Sequence, residues 1–102
     1  MKKLIRDNIP DIIKNKWGKC EFYIASDVEY SIELLKKLIE ESIEVKESRN
    51  KKELIEELAD VVEVINSICD YESISIDDIE KARIKKKKEK WWFSKKIIFK
   101  YT

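Results

Sequence analysis

Residues 50–69 read NKKELIEELADVVEVINSIC, and this stretch decides the fold. Asn50 followed three residues later by Glu53 is a capping-box signature, so a helix is predicted to begin here and to run to about Tyr71. At 3.6 residues per turn, its apolar side chains cover roughly 220° of the helix circumference. Such a helix is covered on more than one side. Because a chain of 102 residues cannot easily supply that cover, we predict a helical bundle completed by another subunit.

Three further helices are predicted from start signals on either side of this stretch. Ser26 with Glu29 opens one to about Ser48, and Ser75 with Asp78 opens another to about Lys90. Pro10 suits the first turn of a short helix through Ile13, with Asn8 as a candidate cap. The segments 20–24 and 92–101 are rich in aromatic and β-branched residues and could form short terminal strands that pair. We therefore expect one mainly α domain spanning residues 1–102.

Composition excludes several classes of site. The chain has no histidine, which excludes an imidazole base and removes the usual zinc ligand. Cys20 and Cys69 lie far apart and are expected to be buried thiols. Lysine plus arginine (22) nearly balances aspartate plus glutamate (21), so overall charge points to neither nucleic acid nor a membrane. With no apolar run long enough to span a bilayer and no leader-like start, we expect a soluble, cytoplasmic protein.

Four acids form two pairs with i, i+3 spacing on consecutive predicted helices: Glu41 with Glu44, and Glu57 with Asp60. Glu57 falls at the angular position of Val61, Val64 and Ile68, and Glu41 likewise falls within an apolar stripe. A carboxylate in such a stripe costs several kcal/mol unless it is compensated. Two facing stripes would bring the four carboxylates together, which a bound cation would make tolerable.

Two plainer interpretations stand beside the metal site. Most E-x-x-E pairs are solvated faces, and Glu57 could instead form a buried pair with a lysine. Lysines at a suitable angle are scarce, although Lys37 lies near the line of Glu44.

The chemistry of the acids indicates the type of ion and reaction. Oxygen ligands without nearby histidine or cysteine favour a hard cation, Mg²⁺ or Mn²⁺. A carboxylate-bound Mg²⁺ usually also takes up substrate phosphates, so hydrolysis of a phosphoanhydride is the expected reaction. Glu40 or Glu44 could accept the proton of the attacking water.

The motif Glu40-Glu41-Ser42-Ile43-Glu44, followed after twelve residues by Glu57-Leu58-Ala59-Asp60, resembles the signature of all-α nucleoside triphosphate pyrophosphohydrolases. This superfamily includes MazG proteins, phosphoribosyl-ATP pyrophosphohydrolases and dimeric dUTPases. The opening residues 3–10, KLIRDNIP, are similar to the start of a short phosphoribosyl-ATP pyrophosphohydrolase-like subgroup, and the likeness covers nearly the whole chain.

The resemblance implies a helical dimer or tetramer that cleaves a nucleotide between the α and β phosphates. It also implies that Glu41, Glu44, Glu57 and Asp60 bind Mg²⁺, with Glu40 as a supporting acid. Clearance of non-standard nucleotides is one role it allows, and no motif specifies the base or sugar. Asn8 stands where the subgroup has lysine.

A second departure lies near the C-terminus. Residues 91–93, Trp-Trp-Phe, stand where Gly-Gly-Phe is expected. Since tryptophan lacks the backbone freedom of glycine, we expect the chain to differ locally there.

Basic residues near both termini are candidates for the phosphates of the substrate: Lys3, Arg6, Lys86 and Lys90. The run Lys85–Lys88 before Trp91 and Trp92 also suggests a nucleic-acid patch, but a solvated helix C-terminus is the favoured interpretation. The alternative to an enzyme is therefore a non-catalytic helical oligomer that acts through its lysine- and tryptophan-rich end.

Overall fold

The computed structural model describes residues 2–14 and 21–101, and these residues form four helices. They are α1 (Ile9–Lys14), α2 (Asp27–Lys46), α3 (Lys51–Glu72) and α4 (Ile76–Lys90). The mainly α fold class is thus confirmed. Gly18 and Cys20, and with them part of one predicted strand and one predicted buried thiol, lie outside the described residues.

The predicted cap residues start the three long helices. The Oγ of Ser26 accepts a hydrogen bond from the backbone N–H of Glu29 at 3.2 Å, and the Oδ1 of Asn50 accepts one from Glu53 at 2.9 Å. Ser75 caps α4 by accepting from the backbone N–H of Asp77 at 3.1 Å. Each cap satisfies a donor that the first turn of a helix leaves free.

α2 and α3 pack against each other as an antiparallel hairpin. At its open end, the rings of Tyr30 and Tyr71 meet edge to face at 5.2 Å, and the Tyr71 hydroxyl donates to the carbonyl of Asp27 at 2.9 Å. Among the described residues, the buried apolar side chains are Leu34, Val64 and Cys69. The core is therefore a thin layer between two helices, and the buried-thiol prediction is confirmed for Cys69.

Two local predictions were wrong. No strand forms among residues 2–14 and 21–101, because residues 21–24 and 91–101 find no strand partner there. Trp91 caps α4 with φ 69° and ψ −143°, so a tryptophan does adopt a backbone conformation that favours glycine. The short first helix, by contrast, is confirmed: it begins at Ile9, directly after Asn8, and Pro10 lies in its first turn.

Large apolar side chains remain on the outer faces of the hairpin. On α2 they form one stripe, about half exposed or more, of Ile32, Leu35, Ile39 and Ile43. Leu58 and Val62 of α3 are similarly exposed. The Cα radius of gyration is 17.5 Å, against about 13 Å for a compact 100-residue domain. No helix among the described residues combines the length and apolar character needed to cross a membrane.

Candidate metal centre

The hairpin brings the four predicted acids together. Glu41 and Glu44 come from α2, Glu57 and Asp60 from α3, and one carboxylate oxygen of each lies within 4.8 Å of the others. The i, i+3 spacing aligns the two acids of each helix, and the antiparallel packing of α2 on α3 brings the pairs face to face. The predicted convergence of the four carboxylates is therefore confirmed.

The burial of these acids is uneven. Glu41 is only 7% exposed, Glu57 and Asp60 are partly buried, and Glu44 is exposed. The Oε2 atoms of Glu41 and Glu57 are both buried and have no hydrogen-bond partner. A buried carboxylate oxygen without a partner costs free energy. A bound cation would satisfy both of these oxygens at once.

The surroundings of Glu41 disfavour its charged form. Burial is the main cause that raises the pKa of this carboxyl, and the nearby carboxyl of Glu44 raises it further by hydrogen bonding and charge repulsion. Lys37 acts in the opposite direction but does not reverse the shift. A divalent cation would supply the positive charge that keeps Glu41 ionised.

Basic side chains border the cluster. The Nη2 of Arg6 lies 2.6 Å from the Oδ1 of Asp60, and the Nζ of Lys37 lies 3.4 Å from Glu41 and 3.3 Å from Glu40. The Nζ of Lys3 lies 3.9 Å from Glu40. Lys37 thus faces Glu40 and Glu41, where its i, i+3 and i, i+4 spacing places it. Within the described chain, Glu57 has no such partner, which argues against the predicted alternative of a lysine pair.

These contacts leave the cluster negative. Three bases, Lys3, Arg6 and Lys37, face five acids, which leaves a formal charge of −2 on the group. Arg6, Lys37, Glu41 and Asp60 also line a cavity of about 320 Å³. The same cavity therefore presents both acidic and basic side chains.

The donor set and its spacing suit a small hard ion. Oxygen ligands about 2.0–2.1 Å from Mg²⁺ lie about 4 Å apart when they are opposite one another. The four acids span slightly more than that, so a small movement of their side chains would close the site around such an ion. Mn²⁺ takes the same oxygen ligands.

The remaining predicted site residues lie in two places. Glu40 borders the cluster through its contact with Lys37, and Lys3 reaches Glu40 from the N-terminal segment. Lys86 and Lys90 are on α4 and do not line the cavity beside the acids. Tyr30 and Ser67 also line that cavity, and neither was among the predicted site residues.

No family model, curated protein or solved structure matches the chain.

Proposed function

We propose that the protein is a Mg²⁺-dependent nucleotide pyrophosphohydrolase, able to use Mn²⁺, that cleaves a nucleoside triphosphate or related nucleotide between the α and β phosphates. The observation that supports this most strongly is the four-acid cluster, in which two buried carboxylate oxygens lack a partner beside a cavity that also contains Arg6 and Lys37. The acidic motifs, which resemble those of the all-α pyrophosphohydrolases, support the same chemistry.

Each residue has a role in this proposal. Glu41, Glu44, Glu57 and Asp60 hold the ion, which would stabilise the negative charge that develops on the leaving pyrophosphate. Arg6 exchanges its contact with Asp60 for a phosphate oxygen, since guanidinium binds both groups in the same forked geometry.

In this proposal the proton acceptors are acids that water can reach. Glu44 is the exposed member of the cluster. One of its carboxylate oxygens lies within 4.8 Å of a carboxylate oxygen of Glu41. Glu40 lies beside the ammonium groups of Lys3 and Lys37. Either carboxylate can accept the proton of the attacking water.

The active form in this proposal is a homodimer or homotetramer. Ile32, Leu35, Ile39 and Ile43 lie on the side of α2 opposite Glu41, so an apolar contact there leaves the acid cluster open to substrate. A second copy of the chain is the proposed partner because α2 presents this stripe along most of its length. In an assembly, Lys86 or Lys90 of one chain can reach the nucleotide bound by another.

Pyrophosphate release from a panel of nucleoside triphosphates and phosphoribosyl nucleotides, with Mg²⁺ present, tests the activity. We expect release from at least one nucleotide and its loss in Glu57→Gln, which keeps the shape of the side chain but removes a ligand charge. Glu56→Gln is the matched control, because Glu56 is the exposed neighbour outside the cluster. Release that is undiminished in Glu57→Gln would show that the site is elsewhere.

A second candidate function is a non-catalytic helical oligomer. The observation in its favour is that Asp60 and Glu41 already contact Arg6 and Lys37, as expected if bases alone stabilise the acids. Absence of release from every nucleotide in the panel would favour this alternative.

A further inference from the structure

A second cleft lies between the end of α4 and the segment that follows it. Its volume is about 950 Å³, and it is bounded by the last two turns of α4 and by residues 91–98. Lysines from both sides line it: Lys87, Lys88 and Lys90 from α4, and Lys95 and Lys96 from the segment. We call this surface the C-terminal cleft.

The cleft lies in the most basic part of the chain. Residues 81–101 contain ten lysine and arginine side chains and one acid, Glu89, for a formal charge of +9. Because the whole chain carries +1, the remaining residues carry −8. The near-zero net charge therefore conceals a strongly positive C-terminal end, and the segment after α4 adds its lysines to those of the helix.

Two aromatic rings form part of the same cleft. Trp91 and Trp92 stack with ring centroids 6.3 Å apart and planes inclined by 29°, and both side chains are more than half exposed. The Nζ of Lys95 lies 4.7 Å from the centroid of Trp91, and that of Lys87 lies 5.4 Å from Trp92. Cation–π attraction thus holds ammonium groups beside two tryptophans that remain more than half exposed.

Lysines interleaved with exposed aromatic rings are what a single-stranded nucleic acid requires. The ammonium groups neutralise backbone phosphates, and the unpaired bases stack on aromatic side chains without regard to sequence. We propose that the C-terminal cleft binds single-stranded nucleic acid, with its lysines on the backbone phosphates and Trp92 stacked against a base. This site shares no residue with the acid cluster and needs no bound metal ion.

The helix that forms one wall favours this ligand over an anionic membrane surface. A helix that lies in a bilayer interface buries an apolar face. Ile84, Phe93, Ile97 and Ile98 also line the cleft, but residues 85–90 of α4 read KKKKEK, so the helix wall has no continuous apolar face to insert. The spread of charge over 21 residues also suits a strand with many phosphates better than a free nucleotide.

Fluorescence anisotropy of a labelled oligothymidine of about 12 nucleotides tests the proposal; this length is within the site size of single-strand-binding folds. The titration is run with EDTA, so that no metal ion bridges the strand to the acid cluster. We expect binding that weakens as salt is raised, because counterions are released from each neutralised phosphate. Glu57→Gln should bind equally well, which separates this site from the proposed active site.

Substitutions separate the contribution of the lysines to binding from that of Trp92. Lys87→Gln with Lys88→Gln should lower the slope of log affinity against log salt by about 1.4, or about 0.7 for each lost phosphate contact. Lys51→Gln with Lys52→Gln is the matched control, because both lysines are exposed at the start of α3 and the charge change is equal. Trp92→Ala should weaken binding roughly 5- to 150-fold, whereas Trp92→Phe keeps a stacking face and most of the affinity.

Four results would overturn the proposal. They are no binding at low salt, equal weakening by the two double-lysine variants, tighter binding to phosphatidylserine vesicles than to the oligonucleotide, and displacement of the strand by ATP at equal phosphate concentration. The last two would assign the cleft to a membrane surface or to a free nucleotide. Circular dichroism of each variant verifies that the helices are retained.

Discussion

Arg6 and Asp60, 54 residues apart in the sequence, form a hydrogen bond of 2.6 Å between the guanidinium and the Oδ1 carboxylate oxygen. This contact ties the segment before α1 to the acid cluster on α3. Both side chains remain substantially exposed, 58% for Arg6 and 39% for Asp60. Solvent therefore weakens the pair, and the proposed function requires Arg6 to exchange this carboxylate for a phosphate.

Arg6→Ala should damage substrate binding far more than stability. An exposed ion pair contributes at most about 1 kcal/mol to the free energy of unfolding. Loss of a charged hydrogen bond to a bound phosphate should instead raise KM roughly tenfold or more. Steady-state kinetics and urea denaturation measure the two effects. Arg49→Ala is the control, since Arg49 forms an exposed pair with Glu53 away from the cluster. Equal KM values for the two variants would show that Arg6 does not contact the substrate.

The raised pKa of Glu41 predicts how the stability of the metal-free protein changes with pH. A folded-state pKa above the unfolded value near 4.5 contributes stability at low pH that is lost as pH rises through the folded-state pKa. In EDTA, the free energy of unfolding of the wild type should therefore fall relative to Glu41→Gln as pH rises from about 4.5 toward neutrality.

The wild type must be compared with Glu41→Gln, because other acids change the free energy of unfolding in the opposite direction as pH rises. The hydrogen bond from Arg83 lowers the pKa of Glu80, whose contribution is present above its ordinary pKa and lost as pH falls through the lowered one. When Glu80→Gln is added to both proteins, the pH-dependent difference in the free energy of unfolding between the wild type and Glu41→Gln should remain. Parallel stability profiles for the wild type and Glu41→Gln would show that Glu41 is not held in an unfavourable site.

The exposed stripe on α2 predicts a dimer or larger assembly. Leu35→Glu with Ile39→Glu should shift the sedimentation coefficient to that of a monomer, because two charges in an apolar contact lose their hydration. Lys52→Glu changes the net charge by the same amount on the polar side of α3 and should not affect assembly. A wild-type protein that sediments as a monomer at all concentrations would refute this prediction.

The backbone conformation of Trp91 predicts how substitutions there change the hydrogen exchange of its amide. Its positive φ is unfavourable for any side chain with a Cβ atom, by about 1–3 kcal/mol. Its amide nevertheless donates to the carbonyl of Lys87 at 2.8 Å. Trp91→Gly should therefore protect this amide from hydrogen exchange more than Trp91→Ala does, after correction for intrinsic rates. Greater protection in the alanine variant would show that the backbone is not strained there.

Local signals in the sequence predicted the helices and the acid cluster well. Ser26, Asn50 and Ser75 act through hydrogen bonds within a few residues, and the position of Glu57 follows from helical periodicity alone. The terminal strands were not predictable in this way, since a strand depends on a partner that the sequence does not name. The conformation of Trp91 was missed for a related reason. The backbone preferences of a residue type are averages over many proteins. At the end of α4 the chain must turn, and there Trp91 adopts a conformation that tryptophan rarely has.

The most direct test of the account is a calorimetric titration of the protein with Mn²⁺, followed by competition with Mg²⁺. The four-acid metal site predicts saturable binding by the wild type and by Glu56→Gln, and binding at least tenfold weaker in Glu57→Gln, since one ligand charge is lost from the cluster. Equal affinity in all three proteins, or no saturable binding in any, would contradict it.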